Sequence, residues 1–172
     1  QGGFYTAGEY AIDRLSSRPD IPGELLELGR SCVAPAYRDA GTIQLLWRGI
    51  ASYLELHRIS MMFGCASFHG VDPDAHADAL SYLYHNHLAP QGLRASALPE
   101  RHIEMARLPL GGYDPRQAMR KLPPLIKGYL RVGAMVGDGA VIDAPFNTVD
   151  VFMIMPVDAI SARYRGRFGA AA

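Results

Sequence analysis

The sequence predicts a mixed α/β fold, and three observations carry the prediction. Glu24 to Val33 is a largely apolar stretch bounded by Pro22-Gly23 and Pro35. Apolar residues then recur at three- and four-residue spacing from about Gly41 to His57, and a second apolar stretch fills Ile59 to Phe68. Short apolar runs between proline and glycine breaks read as buried strands, and the helical spacing between them reads as an amphipathic helix. Strand, helix and strand make a βαβ unit, whose strands are parallel and whose crossover is right-handed.

The other elements follow from local signals. Ile12 and Leu15 are the strong helical pair of residues 1 to 23, so a short helix and a loop precede the first strand, with Pro19 and Pro22 ending the helix. In the long helix, Ile43, Leu46, Trp47, Ile50, Tyr53, Leu54 and His57 define one stripe expected to be buried. Asp72 followed by Pro73 reads as an N-cap and first helical position, opening a helix to about His87 that buries Ala79, Leu80, Leu83 and Tyr84. Pro90 to Gly112 is poorly patterned, with one strand expected near His102 to Ala106. A third helix starts near Pro123-Pro124. Ala140 to Asp143 and Val149 to Met155 read as two strands around the turn Ala144-Pro145-Phe146-Asn147. With no repeat and no low-complexity linker, the reading is a single domain over residues 1–172. A start at Gln1-Gly2-Gly3-Phe4 without methionine makes that domain N-terminally incomplete by expectation.

Composition narrows the class. In 172 residues, 49% apolar and 20% charged, there is enough material for a core, which excludes disordered and collagen-like classes. Lys+Arg and Asp+Glu are both 17, so net charge provides no case for a nucleic-acid partner. Cys32 and Cys65 lack metal-site spacing and read as free thiols of a reducing compartment. No apolar run approaches the roughly 18 to 20 residues that cross a bilayer, and no signal peptide opens the chain. The expected location is the cytoplasm, with any membrane contact peripheral.

The segment from Glu27 to Ile43 holds the residue types of a transfer site. The turn Arg38-Asp39-Ala40-Gly41-Thr42-Ile43 opens the long helix, whose first turn is expected to offer free backbone N–H groups and partial positive charge. Gly41 has no Cβ to keep a phosphate from the backbone. An ordinary helix cap beside a surface arginine is the competing account. Glu27 and Arg30 are charges in an apolar strand, three residues apart and so on opposite faces unless a bulge intervenes. Two readings stand for them: each is paired with structural neighbours, or Glu27 faces a cleft as a general base while Arg30 orders a carboxylate or the pocket wall.

The arrangement Arg38-x-x-Gly41-x-Ile43 after an apolar strand resembles motif A of the GCN5-related N-acyltransferases (GNAT). Within that superfamily, Glu27-Leu-Gly-Arg30-Ser-Cys-Val is similar to the Glu-x-Ser-Arg strand of acyl-homoserine-lactone synthases. A wider set resembles the ornithine N-acyltransferases of ornithine-lipid synthesis: Gly3-Phe4-Tyr5-Thr6-Ala7-Gly8-Glu9-Tyr10, Leu45-Leu46-Trp47-Arg48-Gly49-Ile50, Phe63-Gly64-Cys65-Ala66-Ser67-Phe68, Leu122 to Leu130 and Phe146-Asn147-Thr148-Val149-Asp150-Val151. These pieces span nearly the whole chain. The resemblance implies a GNAT-like mixed sheet with flanking helices, lacking the first strands of the family. It implies Arg38, Gly41, Thr42 and Ile43 as cofactor-binding residues and Glu27, Arg30 and Tyr82 as catalytic ones. The implied donor is a 3-hydroxyacyl chain on the phosphopantetheine of acyl carrier protein, with no tightly bound cofactor and no metal, and the implied acceptor is the α-amine of ornithine or a similar amino acid.

Chemistry agrees with those parts. An ammonium must lose a proton before it attacks a thioester, which suits Glu27, and a strand-edge N–H near Cys65 to Ser67 suits the oxyanion. Tyr82 is either a proton donor to the leaving thiolate, as the resemblance implies, or a packing residue. His85 and His87, two apart, do not share a helical face and make a poor metal pair. A Cys65/His nucleophile pair has no support in spacing. Asp143 and Asp150 either serve the hairpin turn or hold a cationic side chain such as ornithine's. Arg116, Arg120, Lys121, Lys127 and Arg131, with Arg163, Arg165 and Arg167, form a solvated basic face or a docking face for an acidic carrier protein or an anionic bilayer. The rival functions are an acyl-homoserine-lactone synthase, and a truncated, non-catalytic domain that binds an acyl carrier.

Overall fold

The computed structural model describes residues 3–16, 23–29 and 32–160. Arg30 and the basic tail at Arg163, Arg165 and Arg167 lie outside the described residues, as does the side chain of Ile43. After a short 3-10 turn at Tyr5–Gly8, the chain runs α1 (Asp13–Ser16), β1 (Glu24–Glu27), α2 (Ala40–Leu56), β2 (Ile59–His69), α3 (Ala77–His87), α4 (Pro115–Lys121), α5 (Pro124–Arg131), β3 (Met135–Asp143) and β4 (Thr148–Pro156). The strands form one mixed sheet in the order β1-β2-β4-β3. β1 and β2 are parallel, as the βαβ reading requires, and β4 is antiparallel to both β2 and β3.

The first strand is shorter than its apolar run. Pairing in β1 ends at Glu27 opposite Phe63, and the Leu28 amide makes one more bond to the Phe63 carbonyl at 2.7 Å. At that point the two backbones nearly touch: a Cβ on Gly64 would stand 2.1 Å from the Leu28 carbonyl oxygen. The other departures have local causes too. α2 meets the core along one line, with Leu54 buried and Trp47 and Ile50 packed at its edge. Leu46 and Tyr53, expected in the buried stripe, are 49% and 45% exposed, and Leu45 and Leu56 continue that apolar outer face. α4 was not expected. Its Asp114 cap accepts from the Arg116 and Gln117 amides at 2.8 and 3.3 Å and Pro115 is its first residue, but one buried side chain, Ala118, leaves no periodicity to read. The strand expected near His102 reduces to one bridge, Ile103 with Ala140.

The Asp72-Pro73 signal marks a 3-10 turn and not the start of the α-helix, whose N-cap is His76. Asp72 accepts from the Asp74 amide at 2.9 Å, a 3-10 turn follows, and α3 then runs to His87. Tyr84, expected in its buried set, is half-buried, while Ser81 and Tyr82 join Ala79, Leu80 and Leu83 in the interior. β3 starts earlier than expected, at Met135, and bulges between Val136 and Ala140, where Gly139 has φ +83°.

Alternation divides the core between the two faces of the sheet. Met62, Ala66, Phe68, Val149, Val151 and Met153 face the layer of α3, α4 and α5. Met61, Phe63, Val141, Phe152 and Ile154 face the N-terminal segment, whose Tyr10, Ile12 and Leu15 are buried against them with Ala89, Ala95 and Ala97. Each large apolar side chain fully buried this way contributes about 1.5 to 3 kcal/mol relative to exposure. Tyr10 is fully buried, and its hydroxyl lies within hydrogen-bonding distance of the Gly139 and Asp150 carbonyls, 3.2 and 3.0 Å away. Gly64→Ala should therefore cost roughly 2 to 3 kcal/mol in chemical denaturation, because backbone must move to admit the methyl group. Gly49→Ala on α2, with nothing within 4 Å, should gain about 1 kcal/mol from helix propensity in the same measurement.

Candidate functional site

The face of the sheet under the N-terminal segment changes from apolar to polar along its length. Leu25 and Cys65 pack on the Met61–Phe63 face, so alternation places Glu27, Ser67, Asp143, Thr148 and Asp150 on that face as well. Ser67 stands opposite Asp150 and Asp143 opposite Thr148 in the ladder. Five residues from three parts of the chain are then tied together. The half-buried Glu27 carboxylate accepts from the Tyr5 amide at 2.9 Å, the Thr6 amide at 2.7 Å and the Thr6 hydroxyl at 2.5 Å. The Cys65 thiol donates to Glu9 Oε2 at 3.5 Å.

Glu9 is the innermost member, 4% exposed. Its carboxyl is held above the usual range, first by burial and also by the nearby charges of Asp150 and Asp143, while the Cys65 thiol and Arg101 pull the other way. Arg101 reaches Glu9 at 3.5 Å and the Gly8 carbonyl at 3.0 Å. Oxygens of Glu9, Asp143 and Asp150 all lie within 4.8 Å of one another. Burial, reinforced by Glu9 and Asp150, pushes the Cys65 thiol well up, so it stays protonated and is a weak nucleophile. An acid rather than a histidine stands beside it.

An open backbone edge borders this polar face. In a strand, the N–H and C=O of one residue point to the same edge and those of the next residue to the other. The Phe63 carbonyl bonds to Leu28, and the Gly70 amide bonds to Asn147 at 2.8 Å on the opposite side. Cys65, Ser67 and His69 therefore turn their backbone groups toward the side of β1. Among the described residues, β2 has no strand partner there beyond Phe63. The edge near Cys65 and Ser67 is thus without a strand partner among the described residues.

The helix start differs from its expectation. Asp39 caps α2, accepting from the Thr42 amide at 2.8 Å and the Thr42 hydroxyl at 3.0 Å, and these bonds hold its carboxyl below the usual range. The Thr42 N–H is thus taken, and a carboxylate occupies the place foreseen for phosphate. Arg38 Nε donates to the Val33 carbonyl at 2.8 Å, and Gly41 is exposed. Tyr82 is 7% exposed within the helix-side core, its hydroxyl 3.3 Å from His87 Nε2 and its ring edge-on to Tyr113. His85 stacks on Tyr113, so the two histidines have separate partners. A cleft of about 440 Å³ lies at the far end of β1, lined by Gly23, Glu24, His57 and Arg58, and holds none of the predicted residues. Thr6 and Glu9 were missed by sequence reasoning. The usable signal was Glu9 itself, a lone acid next to a tyrosine in a segment otherwise small and apolar.

Comparison with known proteins agrees with this architecture. Residues 1–48 match the acetyltransferase (GNAT) domain family. A protein of Brucella abortus (strain 2308) named L-ornithine N(alpha)-acyltransferase is 52% identical over 171 residues, covering 99% of this chain and 60% of that protein. Proteins of the same name from Agrobacterium fabrum (strain C58) and Rhizobium meliloti (strain 1021) are 50% and 51% identical, covering 99% and 98% of this chain and 58% and 57% of their own lengths. The chain thus spans about three fifths of the curated relatives it matches. No solved structure matches it at a significant level. The chain is thus similar, at about one residue in two along almost all of its residues, to proteins named L-ornithine N(alpha)-acyltransferase, and residues 1–48 are similar to the GNAT domain family.

Proposed function

We propose that the protein transfers a 3-hydroxyacyl group from the phosphopantetheine thioester of acyl carrier protein to the α-amine of ornithine or a similar amino acid, yielding a lyso-ornithine-type lipid. The names of the relatives support the acceptor. The observation that carries the chemistry is the edge of β2 that has no strand partner among the described residues, beside the Glu27–Thr6 and Cys65–Glu9 pairs. An acyl-phosphopantetheine arm is an extended chain with amide groups, suited to pairing with a free strand edge.

In this reading the acceptor ammonium gives its proton to Glu27, whose Oε2 accepts one hydrogen bond and keeps a lone pair. The freed amine attacks the thioester carbonyl, the oxyanion is met by N–H groups of the Cys65–Ser67 edge, and the C–S bond breaks as the proton of the now cationic nitrogen passes to the leaving thiolate, releasing carrier thiol and the new amide. The contacts of Tyr82 with His87 and Tyr113 support packing over proton donation. Arg116, Arg120 and Arg131 are exposed on α4 and α5, while Lys121 pairs with Asp78 at 2.5 Å and Lys127 donates to the Arg120 carbonyl at 2.7 Å. That face suits an acidic carrier protein. Among the described residues, no helix is long and apolar enough to cross a membrane.

In the full-length protein, Glu27→Gln should lower kcat by about 100-fold or more in a labelled acyl-transfer assay, and full retention of rate at neutral pH would remove the general-base role. Glu27→Ala should in addition lose roughly 1 to 3 kcal/mol of stability by leaving the Tyr5 and Thr6 amides without their acceptor. Tyr82→Phe should keep its kcat. Exchanging Arg116 and Arg120 for glutamate should raise KM for acyl carrier protein, more at low salt than at high salt, with kcat unchanged.

A further inference from the structure

Glu9, Asp143 and Asp150 pose a charge problem that the fold does not resolve. Three carboxyl groups meet within 4.8 Å, and their exposures are 4%, 8% and 7%. Arg101 at the rim reaches Glu9, and one oxygen of Asp143 accepts from the Phe146 amide at 3.3 Å, serving the hairpin turn. Asp150 Oδ1, by contrast, is buried with no hydrogen-bond partner among the described residues. The Thr148 hydroxyl, on the same face by alternation, is buried without a partner too. A buried carboxylate oxygen left unbonded costs several kcal/mol by order of magnitude unless a donor arrives from outside.

We propose that Glu9, Asp143 and Asp150 form the subsite for the side-chain ammonium of a basic amino-acid acceptor, with Asp150 Oδ1 as its principal open acceptor. The inference rests on the acyl-transfer reading for the identity of the ligand. Position supports it. Ser67 pairs with Asp150 across the ladder, and the Cys65 thiol touches Glu9, so two of the three acids stand beside β2. In this proposal the terminal ammonium of the acceptor sits among the acids and its α-amine extends toward the thioester. An ammonium presents three donors to the three carboxyl groups.

The pH dependence has a definite sign. Glu9 faces Tyr10 on its own segment, Cys65 on β2, Asp143 on β3, Asp150 on β4 and Arg101 on the rim loop. Its carboxyl is raised by burial, so protonation on acidification begins above the ordinary glutamate value of 4.5 and weakens binding of a cationic acceptor. For the ligand-free fold the sign is opposite: the stability Glu9 contributes is present below its unfolded value and lost as pH rises through its raised folded value.

The test compares ornithine with 2-aminopentanoate, the same carbon skeleton without the terminal amine, in the full-length protein. Asp150→Asn should raise KM for ornithine at least tenfold and leave kcat/KM for 2-aminopentanoate unchanged. Glu9→Gln, which removes a charge whose burial is unfavourable, serves as the second variant should the first fold poorly. Ornithine alone should raise the melting temperature of the parent protein and not of Asp150→Asn, a readout that needs no acyl transfer. If no amine is acylated but this shift is present and lost in the variant, the activity reading fails and the ammonium subsite stands. An unchanged ornithine to 2-aminopentanoate ratio in both variants, or stabilisation by calcium or magnesium with none by ornithine, overturns the subsite.

Discussion

One carboxylate holds the N-terminal segment in register with the sheet. Glu27 takes the amides of Tyr5 and Thr6 and the Thr6 hydroxyl, and in doing so fixes residues 3 to 16 across the face that Phe63 and Phe152 floor. Phe4 packs edge-on to Phe63 at 5.0 Å, and Tyr10 lies 5.4 Å from Phe152. Those three hydrogen bonds add direction to the non-directional apolar contact, together with the Tyr10–Ala97 bridge and the backbone bonds of Ala11 to Ser96 and of Leu98 to Glu9. The position of Glu9 depends on this registration, since it is a neighbour of Tyr10 on the tethered segment. The polar face is therefore a consequence of where the chain is pinned, not of any single strand.

Much of the scaffold was legible because its signals are local. Helical spacing from Gly41 to His57 and the apolar run at Ile59 to Phe68 gave α2 and β2 nearly to the residue, and Asp72-Pro73 marked the approach to α3. What escaped depends on contacts between distant residues. Glu27 reads in sequence as a charge in a strand, and nothing nearby says that its partners are twenty-odd residues upstream. The early end of β1 is set by a close approach to Gly64 on another strand. Asp143 and Asp150 were legible as acids flanking a turn, but their meeting with Glu9 was not, because it joins the two ends of the chain.

The helix start illustrates a competition between two anions. A capping carboxylate and a bound phosphate want the same amides, and at α2 the Asp39 cap already holds Thr42. The cap is fully exposed, so an incoming anion displaces a solvated side chain rather than a buried one. By contrast, the acids at Glu9 and Asp150 are buried, and burial holds the Glu9 carboxyl above its usual range.

The Tyr10 hydroxyl, set between the carbonyls of Gly139 and Asp150, also fixes an order of events during folding. Those partners lie 129 and 140 residues away in sequence, so the contact closes one of the longest loops in the chain. Such closure comes late and slowly. During synthesis the N-terminal segment must wait for β3 and β4 to emerge, with Tyr10, Ile12 and Leu15 unburied in the meantime. The two faces of the sheet therefore differ in the sequence span that closes them: α3 to α5 stand next to β3 and β4 in the chain, whereas Tyr10 reaches across most of it.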